Sequence, residues 1–130
     1  MDFKELYIEI MVFLGESGGT YRNVDVFTSH DIIDSVFDGR YRITRNESGR
    51  ITGFTSWWMI HKRDLEMVKN GERPADIHSG PIVYIADHAG ENTCPGLMKH
   101  IRRTMGEIDS CWHHRFKHPR QFRYREARLA

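Results

Sequence analysis

Asp87 and His88 are adjacent titratable side chains, and they follow a short apolar run, Pro81-Ile82-Val83-Tyr84-Ile85-Ala86, where it gives way to a loop. The run is rich in β-branched and aromatic residues, the composition of a buried strand. A carboxylate at the end of such a strand, beside apolar neighbours, is pushed toward a higher pKa, which suits it to take up and return a proton near neutral pH. The plainer account is that Asp87 caps the loop or the next helix and His88 is solvated. After the pair comes the loop Gly90 to Gly96, and then Leu97, Ile101, Met105 and Ile108 recur at helical spacing as one apolar stripe. Lys99, His100, Arg102 and Arg103 fall on the other side of that helix. Strand, glycine-bearing loop and basic helix together form an arrangement that seats phosphates at a helix N-terminus, with Gly90, Gly96, Lys99, Arg102 and Arg103 as the candidate contacts. No complete phosphate-binding fingerprint is present, and an exposed helix face accounts for the same cations.

The rest of the chain must hold these residues. Asp2 can cap a first helix over about residues 3–14, with Leu6, Tyr7, Ile10, Met11 and Leu14 on one side. Residues 15–19 end it, and residues 20–27 read as an irregular or extended link. Thr28 or Ser29 can cap a second helix to Phe37, which buries Ile32, Ile33, Val36 and Phe37. A hairpin follows: Tyr41 to Arg45 alternates apolar and polar, Asn46-Glu47-Ser48-Gly49 turns, and Ile51 to Ile60 is the longer strand. Trp57-Trp58 sets one indole on each face of that strand, so both faces need cover. Residues 62–70 form a short helix. After the basic helix, Ser110 to Phe116 reads as a strand parallel to its predecessor, and Gln121 to Arg125 as a final edge strand. The expected fold is α+β: one domain over residues 1–130, with a mixed, mainly antiparallel sheet and flanking helices.

With 130 residues, 39% of them hydrophobic and 28% charged, the chain can build one core and does not look disordered. No run of eighteen apolar residues suggests a membrane span, and the start Met1-Asp2-Phe3-Lys4-Glu5 lacks a signal-peptide pattern, so a cytoplasmic location is expected. Cys94 and Cys111 are too few for a disulfide framework. Charge is unevenly spread: residues 1–98 hold ten Lys/Arg and fifteen Asp/Glu, residues 99–130 nine and three. The basic end suggests an anionic partner.

Several stretches together resemble the GNAT acyltransferase fold, and more closely the toxin-activating lysine acyltransferases. They are Tyr41-Arg42-Ile43-Thr44-Arg45 with Phe54-Thr55-Ser56-Trp57, then Tyr84-Ile85-Ala86-Asp87-His88-Ala89, then Leu97-Met98-Lys99-His100-Ile101-Arg102-Arg103. The likeness spans about residues 21–125. It implies a GNAT-like sheet whose parallel pair receives the pantetheine arm of acyl-CoA or of an acyl carrier protein, with no metal. It implies a catalytic aspartate at Asp87, working with a histidine before Arg-Asn; here Tyr21 precedes Arg22-Asn23 in that place.

Acyl transfer from a thioester to an amine needs a base, a polarised carbonyl and a stabilised thiolate. Asp87 or His88 could act as the base, directly or through water, and Tyr21 could protonate the thiolate. Lys99, Arg102 and Arg103 could meet cofactor phosphates or an acidic carrier. The acceptor would be a protein or a small amine, with a homodimer or assembly partner as a further possibility. The alternative is a non-catalytic GNAT-like binding or structural module of a larger assembly, such as a phage particle. A metal site built from Cys94, Cys111, His113, His114 and His118 lacks the usual ligand pairing. Nucleic acid is not the expected partner: Arg115, Lys117, Arg120, Arg123, Arg125 and Arg128 interleave with Phe116, Phe122 and Tyr124, but any edge hairpin gives that alternation.

Overall fold

Asp2 and Asp25 begin the two N-terminal helices by the same device. The Asp2 carboxylate accepts from the Glu5 backbone N–H at 2.8 Å and the Asp25 carboxylate from that of Thr28 at 2.7 Å. These caps open helix α1 (Phe3–Ser17) and helix α2 (Val26–Asp38) in the computed structural model of the chain. The structure describes residues 2–18, 21, 24–91, 96–118 and 121–126, with backbone alone from residue 113 onward. Helix α2 therefore starts three residues before the expected Ser29, because Asp25, not Thr28 or Ser29, is the cap.

Strands β1 (Tyr41–Arg45) and β2 (Ile51–Ile60) pair antiparallel, Tyr41 opposite Ser56 and Ile43 opposite Phe54, as the hairpin pattern predicts. A 3-10 turn at Lys62–Asp64 leads into the short α3 (Leu65–Lys69). Then come β3 (Ile82–Gly90), α4 (Leu97–Met105), β4 (Ser110–His118) and β5 (Gln121–Glu126). Strand β4 runs parallel to β3 and antiparallel to β5, and the strand order is β1-β2-β3-β4-β5. The chain is thus α+β with a mixed sheet. Among the described residues no helix is long and apolar enough to cross a membrane.

Contacts divide the chain into two units, residues 1–56 with 87–95, and residues 57–86 with 96–130. In the first, Ile10 and Leu14 of α1 and Ile32 and Val36 of α2 pack on Ile51, Phe54 and Ala89. In the second, Leu97, Met98 and Ile101 of α4 pack on Trp57, Met59, Val83 and Cys111. The other face of that sheet carries Ile60, Ile82 and Tyr84 with Val68, and Trp58 lies against this cluster. The two indoles do point to opposite faces, Trp57 fully buried and Trp58 half-buried.

Two expectations are corrected. Phe37 was placed in the core but is 77% exposed. The inward stripe of α2 runs through Asp31, Ile32, Ser35 and Val36, and one further 100° step carries position 37 outward. Asp87 and His88 were placed where strand meets loop, but β3 continues through them to Gly90. The extension is held because Ala89 packs in the first unit's core and the Glu91 N–H donates to the Thr52 carbonyl at 2.8 Å.

Candidate functional site

Alternation along a strand sends Asp87 and His88 to opposite sides. Asp87 is buried, 9% exposed, and His88 is exposed. On β2 the same alternation gives each a partner. The Ser56 hydroxyl donates to Asp87 Oδ2 at 3.3 Å, and Thr55 Oγ1 lies 2.9 Å from His88 Nδ1. Tyr21 completes the group from the segment after α1. Its hydroxyl donates to Asp87 Oδ1 at 3.0 Å and accepts the His88 backbone N–H at 3.1 Å. Three candidates chosen from sequence, Tyr21, Asp87 and His88, are therefore joined by hydrogen bonds within one unit.

Burial raises the Asp87 carboxyl from its ordinary 3.8 to about 6, with the Asp31 carboxylate adding to the rise and the bonds from Tyr21 and Ser56 opposing it. Burial, then the Asp87 charge, pushes the Tyr21 phenol far above its ordinary range. Tyr21 thus keeps its proton at neutral pH and directs it to Asp87. Its acidity is lower than that of a free phenol, which suits a hydrogen-bond anchor better than a proton donor to a leaving thiolate. Asp87, ionised at neutral pH but close to its pKa, can accept and release a proton.

Asp31, Ser56 and Thr55 belong to this site and were not singled out from the sequence as site residues. Their signal was polarity where a core residue would be expected. Asp31 and Ser35 lie on the buried side of α2, and Thr55 and Ser56 interrupt an otherwise apolar strand.

Gly90 sits at the end of β3, not in a loop. Its φ is +76°, and a Cβ there would collide with the Thr52 carbonyl and lie 2.6 Å from the Phe13 ring. That close approach explains the glycine structurally. Beside it a shallow groove of about 490 Å³ is lined by Phe13, Glu16, Asn46, Arg50, Thr52 and Glu91, a mixed-charge surface.

The other candidates belong to the second unit. Gly96, with φ +73°, stands at the N-terminus of α4, and Lys99, Arg102 and Arg103 are exposed along the helix while Leu97, Met98 and Ile101 face the core. His100 meets the Trp57 indole edge-on at 6.2 Å. The helix stops at Met105 with Gly106 after it, so Ile108 is buried from beyond the helix.

The remaining expectations lie outside the described residues: Arg22 and Asn23, the loop residues Asn92, Thr93, Cys94 and Pro95, and the side chains of His113, His114, His118 and the basic and aromatic residues of β4 and β5. Among the described residues no three His, Cys, Asp or Glu side chains are grouped to hold a metal ion, and Cys111 is buried. No family model matches the chain, and no curated protein matches it.

Proposed function

We propose that the chain is an N-acyltransferase on a GNAT-like fold, moving an acyl group from acyl-CoA or an acyl carrier protein to an amine of a protein or small molecule. The observation that carries this reading is the buried Asp87 carboxyl, raised to about 6 and held by the Tyr21 hydroxyl. In this reading the acceptor ammonium gives a proton to Asp87 through water. The free amine attacks the thioester carbonyl, the C–S bond breaks, and the thiolate departs. His88, on the exposed side of the same strand, faces away from Asp87, so the proton that the amine still carries after attack goes to the departing thiolate. Tyr21 stands where the resembling family carries histidine, and it acts here as a positioning residue that holds Asp87 Oδ1. Lys99, Arg102 and Arg103, exposed on α4 behind Gly96, are the proposed contacts for donor phosphates or for an acidic carrier.

One observation favours a second reading, a non-catalytic binding or assembly module. Both Asp87 oxygens already accept hydrogen bonds, and Tyr21 also satisfies the His88 N–H, so the network works equally as an anchor tying residue 21 to β3. Calorimetric titration with acetyl-CoA, a long-chain acyl-CoA and an acylated carrier protein separates the two. Micromolar binding of one donor, weakened by Lys99→Ala and spared by Asp87→Asn, supports the transferase. Failure of all three donors to bind leaves the module.

A further inference from the structure

The groove beside Gly90 holds charges of both signs that do not meet. Its walls all belong to the first unit: Phe13 and Glu16 near the end of α1, Asn46 and Arg50 around the β1–β2 turn, and Thr52 with Glu91. Close by, Arg45 and Glu9 do close on each other, with both carboxylate oxygens engaged. Among the described residues the other ion pairs are Arg40 with Asp38 and His61 with Asp76, so Arg50 pairs with neither Glu16 nor Glu91. Glu91 is set in place from two sides. Its backbone N–H donates to the Thr52 carbonyl at 2.8 Å, and the Thr52 hydroxyl donates to its Oε2 at 3.0 Å. Thr52 thereby gives up its hydrogen, so the Thr44 hydroxyl, 3.1 Å away, is the donor that holds Thr52 in turn. Oε1 of Glu91 accepts from none of the described residues.

The two sides of the groove ask for different charges. The C-terminal end of a helix is partly negative, and the last turn of α1 has no basic residue to offset it and carries Glu16 instead. A glutamate there works against the helix, and a cation bound beside it relieves the conflict. On the other side, Asn46 Oδ1 accepts the Ser48 hydroxyl at 2.9 Å and the Ser48 and Arg50 backbone N–H groups at 3.1 and 3.0 Å. The Asn46 amide nitrogen is thus left as a donor beside the Arg50 guanidinium. Two carboxylates at a helix C-terminus suit an ammonium, and a guanidinium with an amide N–H suits a carboxylate. We propose that this groove binds a free amino acid, its ammonium on Glu16 and Glu91 and its carboxylate on Arg50 and Asn46, with the side chain against Phe13. The volume, about 490 Å³, lies within the range of small-ligand sites, roughly 300–1,000 Å³. A metal ion fits less well because Arg50 repels it, and a phosphate because two carboxylates do. The site does not use Asp87, so it stands or falls separately from acyl transfer.

Titration of the isotope-labelled full chain with glycine, L-leucine and L-lysine, followed by NMR, tests this. At least one of them should shift the amide signals of Arg50, Thr52 and Glu91 and saturate with a Kd of about 1 mM or tighter. The matching amine without the carboxylate, and the matching acid without the α-ammonium, should each bind about tenfold more weakly or worse, since each leaves one side of the groove unpaired. For leucine these are isopentylamine and 4-methylpentanoate. Glu91→Gln keeps the bond from Thr52 and loses the charge, and Arg50→Ala removes an exposed guanidinium. Each should weaken binding about tenfold or more with circular dichroism unchanged. Glu9→Gln, which opens the neighbouring pair outside the groove, should leave binding within about twofold. Three amino acids that leave those amides unshifted overturn the proposal, as does an amine or acid that binds as well as its amino acid. Folded Glu91→Gln and Arg50→Ala proteins that bind like wild type overturn it as well, as does a Glu9→Gln loss equal to that of Glu91→Gln.

Discussion

Asp87→Asn should make the protein less dependent on pH, and the sign follows from the site. The folded-state pKa of Asp87, about 6, lies above its ordinary 3.8. A group raised in this way favours the fold below pH 4, and that advantage disappears as pH rises through 6. Each pKa unit corresponds to about 1.4 kcal/mol, so ionising the buried carboxylate costs the folded state about 3 kcal/mol at neutral pH. Asparagine has nearly the same shape and still accepts from Tyr21, but it cannot ionise. Urea unfolding of both proteins at steps between pH 4 and 8 gives the difference in stability, from which other titrating groups largely cancel. Wild type should lose about 2.4 kcal/mol of that relative to Asp87→Asn across pH 4 to 7, with little further change above pH 7. A constant difference, or a wild type that gains on the variant as pH rises, refutes the assignment of Asp87 as a buried, desolvated acid.

Three further predictions concern the same unit. Asp31→Asn removes a charge that raises the Asp87 pKa, so the midpoint of that pH curve should move down, read from the same titration. Tyr21→Phe leaves Asp87 Oδ1 and the His88 N–H without their shared partner; it should cost about 1–3 kcal/mol in urea unfolding and move the midpoint up. Gly90→Ala combines a positive φ with collision against the Thr52 carbonyl, so thermal melting should show a loss of at least about 1–2 kcal/mol, whatever its effect on donor binding.

The elements were legible in the sequence because their local signals agree with their packing. The Tyr41–Arg45 and Ile51–Ile60 hairpin carries alternation and turn residues together, and α4 shows one clean apolar stripe. Two local signals misled, one through helix phase and one through contacts distant in sequence. Phe37 continues an apolar run, but helix phase turns it outward. Gly90 looks like the start of a loop, yet Ala89 packing on α1 and Glu91 bonding to Thr52 carry β3 onward. The site was half legible. Asp87 and Tyr21 could be named, but their bond joins residues 66 apart, and nothing local predicts that Ser56 and Asp31 bear on the same carboxyl. Asp31 on the buried side of α2 signals a polar core position, but not which carboxyl it faces.

The central claim is that Asp87 handles the proton in acyl transfer to an amine, and turnover tests it most directly. Wild type and Asp87→Asn would be compared for hydroxamate formation from acyl-CoA, and from acylated carrier protein, with hydroxylamine as a small amine acceptor. The account predicts that wild type accelerates the reaction and that Asp87→Asn loses roughly 100-fold or more of that acceleration while still binding donor. Equal rates for the two proteins, or a wild type no faster than solution with either donor, would contradict it.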